Sequence, residues 1–291
     1  MEHGRIMKGI GGFYYVNTRL GVIECRARGK FRNESRKPMV GDHVEITVAG
    51  DGTGTVDQIL ERKNYFVRPP ISNIDTLVIV AAAKNPAPDF VFIDKMTVIA
   101  KKNHVDAVLC VNKSDLSCEK DIAEITKIYT CAGFPVLVTS AKKQEGAGEL
   151  DAVLQGKVTA FAGFSGVGKS SILNLLNDYG LETGGVSKKL KRGRHTTRHV
   201  ELLAYKADSY VADTPGFSML ELPQMRASEL EEYFPEFAPH LGKCRFTGCS
   251  HVGERDCAVK AAVEDGTVSK SRYQSYVQFY ETLNAVKEWE I

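Results

Sequence analysis

The sequence predicts a multidomain α/β chain: a small N-terminal β-barrel over residues 1–65, a mostly parallel α/β sheet domain over 66–225, and a helical segment over 226–291. Three observations carry this. Short runs rich in Val, Ile, Tyr and Phe, broken by Gly, Asn, Asp and Pro, fill residues 1–65 with no helical period. From residue 74 strand-like apolar runs alternate with helix-like ones, the pattern of βαβ units covered on both faces. After residue 225, ASELEEYFPEF and SKSRYQSYVQFYETLNAVKEWEI read as helices enclosing a loop-rich stretch with clustered cysteines.

The totals are compatible with that division. A length of 291 residues gives about two domains, or three small ones. With 43% hydrophobic and 25% charged residues the chain is an ordinary globular one, which excludes disordered and fibrous classes. No apolar run approaches the ~20 residues that span a bilayer. MEHGRIMKGIGG has neither a long apolar core nor a small-residue cleavage site, so no secretory signal is read and a cytoplasmic protein with no membrane partner is expected.

In the first segment RIMKGIGGFYYVNT, GVIECRARGKF, DHVEITVAG and GTGTVDQIL read as strands with turn signals between them. Such a set suggests a small barrel, and the OB-fold is the commonest one that binds oligonucleotides. Phe13, Tyr14 and Tyr15 sit near Lys8, Arg26 and Arg28, a mixture suited to stacking bases and neutralising phosphates, although alternation sends some of these rings into a core. RKNYFVRPPISN, 62–73, carries a Pro pair and marks a domain boundary.

Beyond it IDTLVIVAAA (74–83) is a buried strand, PDFVFIDKMTVIAKKN (88–103) a helix, and VDAVLCVNKSD (105–115) a strand entering a polar loop. EKDIAEITKIYTCAG (119–133) is a helix closed by Gly133, FPVLVTSAK (134–142) a strand and loop, and GELDAVLQG (148–156) a short helix. VTAFAGFSGVGKSSILNLL (158–176) reads as strand, loop, helix; HVELLAY (199–205) and SYVADTPG (209–216) follow as strands.

The loop within 158–176 has the spacing G-x-x-x-x-G-K-[ST] at Gly163, Gly168, Lys169 and Ser170, with Phe164, Ser165, Gly166 and Val167 between and Ser171 after. Its glycines let backbone N–H groups wrap a diphosphate, the following helix adds its positive end, Lys169 reaches the β- and γ-phosphates, and Ser170 can hold Mg²⁺. Asp213, in DTPG at a strand end, is placed to bind Mg²⁺, and Gly216 offers an N–H to a γ-phosphate. Asn112, Lys113 and Asp115 form an N-K-x-D element that selects guanine, because one carboxylate accepts both the N1–H and the exocyclic amine, a donor pair adenine lacks. Ser140, Ala141 and Lys142 match the S-A-K loop that packs beside the same base.

The order is permuted: the base-selecting loops precede the phosphate loop. Loops at one end of a sheet meet in space whatever their chain order, so the site survives, and DTPG leads straight into the C-terminal segment. Between the phosphate loop and DTPG lies KKLKRGRHTTRH, 188–199, with six Lys or Arg and no acid. Residues 1–40 carry nine basic against three acidic side chains, a local +6 in a chain of net charge +2. Solvated faces explain many such runs, but two of them in a nucleotide-binding protein point to a polyanionic partner.

Thr196 or Thr197, the latter preferred, is read as the switch threonine that reaches Mg²⁺ and the γ-phosphate. The position after DTPG, where many such enzymes keep a water-orienting glutamine, is Phe217, so slow unaided hydrolysis is expected. His195 is the nearest candidate to position water; an RNA-contacting or exposed histidine is the other reading. Cys244, Cys249, His251 and Cys257 put three thiols and an imidazole within 14 residues, the donor set of one closed, structural, tetrahedral Zn²⁺.

With NKSD, SAK, GFSGVGKS, GRHTTRH and DTPGF in that order, followed by C-x4-C-x-H-x5-C, the chain closely resembles, over its whole length, the bacterial ribosome small-subunit-dependent GTPase A family. The resemblance implies an OB-fold, a circularly permuted P-loop GTPase domain and a C-terminal helical zinc-binding domain. It implies GTP and GDP as ligands with Mg²⁺, and hydrolysis stimulated by the 30S ribosomal subunit and its 16S rRNA. Binding is expected late in maturation of the subunit, with release after hydrolysis, by a monomer. Two rivals are a guanine-nucleotide-gated RNA-binding scaffold with vestigial hydrolysis, which Phe217 keeps open, and an ATP-dependent enzyme, which NKSD disfavours.

Overall fold

In the computed structural model, which describes residues 1–32, 36–177, 200–213 and 217–285, the first predicted run is two strands rather than one. Gly11 and Gly12 adopt φ of 60° and 85°, and the hairpin they form pairs Ile10 with Phe13. Two successive positive-φ residues match the right-handed strand twist, which is why glycines sit there. Strands β1 (Glu2–Ile10), β2 (Phe13–Thr18), β3 (Gly21–Ala27), β4 (His43–Val48) and β5 (Gly54–Ile59) then close in the order β1-β2-β3-β5-β4-β1. Alternation buries Ile6, Val16, Ile23, Val44, Ile46 and Val56 inside this five-stranded barrel.

A two-stranded hairpin, β6 (Tyr65–Phe66) and β7 (Ile71–Ser72), joins the barrel to the next sheet. Asp42, fully buried, holds this joint: it accepts from Arg62 at 2.6 and 2.7 Å and from the Ser72 hydroxyl at 2.6 Å.

The second sheet runs β10 (Val136–Val138), β9 (Asp106–Asn112), β8 (Thr76–Ala82), β11 (Val158–Ala162), β13 (Tyr210–Asp213), β12 (Glu201–Ala204). All its pairings are parallel except that of β12 with β13. β8 and β11 are buried at every position, as the apolar runs required. The helices are α1 (Phe90–Lys102), capped by the Asp89 carboxylate on the Phe92 amide, α2 (Glu119–Cys131), α3 (Ala147–Leu154) and α4 (Lys169–Asn177). Strand order reverses at β8: from it the chain steps outward to β9 and β10, then returns to add β11, still parallel, on its other side. That switch point opens a crevice at the carboxyl ends of the strands.

β12 also pairs with β1, Lys8 opposite Glu201, and their side chains form an ion pair at 3.2 Å. Barrel and nucleotide sheet are thereby one continuous eleven-stranded sheet.

The C-terminal segment differs from expectation in two elements, one of them a short helix, Ala258–Glu264, within the stretch read as loop-rich. ASELEEYFPEF is not an α-helix but two 3₁₀ turns, Ala227–Tyr233 and Pro235–Phe237. Pro235 supplies no N–H and drives Phe234 out of the helical region, to φ −111° and ψ 85°. Two helices follow, α5 (Ala258–Glu264) and α6 (Lys270–Asn284), around a core of Phe234, Phe237, Val259, Tyr276 and Phe279 that also takes in Val98 of α1.

Candidate functional site

The phosphate loop follows β11 because Gly163, at φ 154°, runs so close to β8 that a Cβ would meet the Val80 carbonyl at 2.5 Å. Gly166 and Gly168 are also at positive φ, 83° and 98°. α4 starts at Lys169, with its first internal bond from the Ile172 amide to the Gly168 carbonyl at 2.9 Å. The Lys169 ammonium folds back on its own loop, donating to the Gly163 carbonyl and, at 2.8 Å, to that of Phe164. Burial lowers its pKa. Phe164 stands on the outer side of the loop and tilts against Phe92 of α1, ring centroids 4.3 Å apart. Ser165, Ser170 and Ser171 are exposed, whereas Val167 is buried under the loop.

The N-K-S-D loop starts at Asn112, the last residue of β9. Lys113 takes the left-handed conformation, φ 60°, and its ammonium donates to the Asn85 carbonyl in the loop after β8. Asp115 accepts from the Ser140 hydroxyl at 2.7 Å, and that bond holds its carboxyl below the usual range. Ala141 and Lys142 continue the loop, Lys142 exposed.

One side chain ties these loops together. The Asn112 amide donates to the Val167 carbonyl of the phosphate loop at 2.9 Å, and its oxygen accepts from the Thr139 hydroxyl at 3.2 Å and the Ala141 amide at 3.3 Å. Asn112 is 1% exposed, so these bonds are strong ones to lose. Gly168 is part of the same fit: a Cβ there would fall 2.2 Å from Asn112 Nδ2. The N-K-x-D spacing marks Asn112 for the base and gives no sign that it ties the loops together; for Thr139 the sequence offers only its place at the end of a strand, just before S-A-K.

Asp213 closes β13, opposite Glu201 of β12 in register. Gly216, His195, Thr196 and Thr197 lie outside the described residues, so the structure brings nothing to the switch assignments. Phe217 is 1% exposed and packs edge-on against Phe66 of the interdomain hairpin, centroids 5.1 Å apart. It is a core residue.

The four sulfur and nitrogen donors of the C-terminal cluster converge. One donor atom each from Cys244, Cys249, His251 and Cys257 lies within 4.8 Å of the others. Cys244 and Cys257 sulfurs are 3.9 Å apart, close to the about 3.8 Å edge of a tetrahedron with 2.3 Å Zn–S bonds. His251 Nδ1 stands 3.5 Å from Cys244 Sγ and 3.3 Å from Cys257 Sγ. Burial and the neighbouring thiols push Cys249 up to about 12, so loading a cation here releases protons. The residues fit a tetrahedral metal ion.

On the barrel, the Gly11–Gly12 turn, Phe13, Tyr14, Arg26, Arg28, Phe31 and Lys37 line an open groove of about 560 Å³. The Arg26 guanidinium lies 4.6 Å over the Phe13 ring, and Arg28 pairs with Asp57 at 3.0 Å. Of the three aromatics, Phe13, Tyr14 and Tyr15 are all half-buried, with Tyr14 packed on the barrel core.

Comparison with known proteins adds to this geometry. The RsgA GTPase family model matches residues 59–223 and the RsgA N-terminal domain model residues 3–56. The chain is 46% identical over 288 residues to the small ribosomal subunit biogenesis GTPase RsgA of Caldanaerobacter subterraneus subsp. tengcongensis, covering 99% of this chain and 96% of that one. It is 43% identical over 281 residues to the protein of the same name from Alkaliphilus metalliredigens, 96% of each chain. Among solved structures it superimposes on YjeQ from Thermotoga maritima with a TM-score of 0.86 at 37% identity, covering 98% and 99%. With YloQ, described as a circularly permuted GTPase, the values are 0.80 and 36%, covering 98% and 96%.

Proposed function

From the premise that the chain belongs to the RsgA GTPase family, a family of GTP hydrolases, we propose that it binds the 30S ribosomal subunit and assists its late maturation, hydrolysing GTP to GDP and phosphate there. The observation that carries the proposal is Asn112, which joins the base-reading loops to the phosphate loop through three hydrogen bonds. A guanine seated on Asp115 is thus mechanically continuous with phosphates in the Gly163–Ser171 loop.

In this reading Asp115 accepts from N1–H and the exocyclic amine, Lys113 and the Ser140–Lys142 loop flank the ring, and Lys169 exchanges its loop carbonyls for phosphate oxygens. Ser170, Thr197 and Asp213 are the groups that would hold Mg²⁺, which neutralises charge developing on the transferred phosphoryl group. Cys244, Cys249, His251 and Cys257 would hold one structural Zn²⁺. His195 and Thr197 remain the proposed water-positioning and switch residues.

The barrel groove, with Arg26 and Arg28 beside Phe13, and the basic 188–199 block supply contacts for 16S rRNA. β12 begins two residues after that block and hydrogen-bonds to β1 of the barrel, so a change in the block has a short route to the RNA-binding face. The protein is proposed to act as a cytoplasmic monomer; among the described residues no helix is long and apolar enough to cross a membrane.

Phe217, buried against Phe66, orients no water, and this favours a low intrinsic rate raised by the partner. The test is GTP turnover with and without purified 30S subunits. A rise on the subunits supports the proposal; equal rates sink the coupling. No single-turnover hydrolysis even on saturating subunits would leave the scaffold with vestigial hydrolysis as the better reading.

A further inference from the structure

The Cys/His cluster has a fifth protein partner that its own spacing does not contain. Glu231, in the 3₁₀ turn Ala227–Tyr233, places Oε2 2.8 Å from His251 Nε2. The opposite ring nitrogen, Nδ1, is the one that faces the Cys244 and Cys257 sulfurs. A neutral imidazole that gives its Nδ1 lone pair to a cation must carry its proton on Nε2, and a carboxylate there fixes tautomer and ring orientation and makes the ligand more basic. His251 is 3% exposed, so no bulk water replaces that acceptor.

The position of Glu231 is imposed from both sides. Two residues earlier Glu229 accepts from Lys102 of α1 at 3.1 Å, and five residues later Glu236 accepts from Arg272 at 2.7 Å. The segment that leaves the nucleotide domain is therefore pinned to α1, to the metal-cluster histidine and to α6 in succession.

The geometry points to Glu231 as a positioning residue for the metal centre: it is not a ligand, but its carboxylate holds His251 in the ligating tautomer and so makes metal retention depend on that one side chain. This rests on the reading of the four-residue cluster as a zinc site.

The experiment compares wild type, Glu231→Ala, Glu231→Gln and Lys102→Ala, each loaded with Zn²⁺ or Co²⁺, for chelator-driven metal release and for the visible spectrum of the Co²⁺ form. Failure of wild type to bind one equivalent would overturn the zinc reading itself. If it binds, Glu231→Ala is expected to release metal roughly 10–100-fold faster with an altered Co²⁺ spectrum. Glu231→Gln, whose amide oxygen still accepts the Nε2 proton, should fall between the two. Lys102→Ala loosens the same segment but leaves the carboxylate, and should release metal as wild type does. Unchanged release from Glu231→Ala, or equal acceleration in Lys102→Ala, would overturn the assignment.

Discussion

The Arg272 guanidinium of α6 and the Asp94 carboxylate of α1 meet at 2.8 Å with neither side chain exposed at all. Arg272 also donates to both oxygens of Glu236, at 2.7 and 3.1 Å, and to Thr97 at 3.1 Å, and it lies 4.8 Å from the Phe234 ring centroid. Burial alone would lower its pKa, but Asp94 and Glu236 together push it up. The C-terminal segment is thus anchored in the nucleotide domain by a charge that has no access to water.

Removing that charge should be costly. Arg272→Ala leaves Asp94 and Glu236 buried without a counter-ion, and a loss of roughly 3–5 kcal/mol is expected in denaturant unfolding. A loss under about 1 kcal/mol would mean that the segment already tolerates an open, hydrated joint.

Gly168→Ala should disable the nucleotide site while sparing the sheet. The residue sits at φ 98°, and the new Cβ would fall 2.2 Å from Asn112 Nδ2. Relieving that contact breaks the Asn112–Val167 bond or distorts the loop, a strain on the order of 1–3 kcal/mol. Carried into binding, this is a roughly 5- to 150-fold loss of GDP affinity, read by fluorescent-nucleotide titration. Gly148→Ala, in α3 with nothing within 4 Å of the added methyl, is the control and should bind as wild type does.

How much of this was legible in the sequence depends on chain distance. GFSGVGKS, NKSD and the Cys/His cluster are contiguous because their chemistry needs neighbouring backbone or closely spaced donors, so they read directly. The Arg272–Asp94 pair spans 178 residues, Lys8–Glu201 193 and Glu231–His251 20, and nothing in periodicity marks an arginine as buried. Phe217 was readable only as the absence of a glutamine. Its packing on Phe66 depends on a hairpin that the Pro pair at 69–70 made look like a bare linker. The basic block 188–199 gave its charge in the sequence and lies outside the described residues.

Guanine binding should be insensitive to pH across the neutral and mildly acidic range. The Ser140 hydroxyl donates to the Asp115 carboxylate and holds its pKa below the ordinary value of about 3.9. A carboxyl depressed in the folded state is fully charged above its unfolded pKa and loses its contribution only as pH falls through the folded one. GDP affinity is therefore expected to stay flat from pH 8 to about 5. Ser140→Ala removes the leading cause of the depression, so its affinity should begin to fall at higher pH than wild type. Superimposable profiles would show that the Ser140 bond does not set the charge of Asp115.

Phe217→Gln places a glutamine in the position that other GTPases use to orient water, and here it should not raise the rate. The side chain is 1% exposed and lies edge-on to Phe66, on the inner side of the turn at Phe217–Met219. A glutamine there loses aromatic packing and buries an amide among apolar groups, a destabilisation of roughly 2–4 kcal/mol. Intrinsic turnover should remain at or below the wild-type value, and thermal unfolding should occur at lower temperature. A stable variant with faster unaided hydrolysis would show instead that residue 217 turns toward the nucleotide in the triphosphate state, with Phe217 acting as a plug that withholds the catalytic water until the partner displaces it.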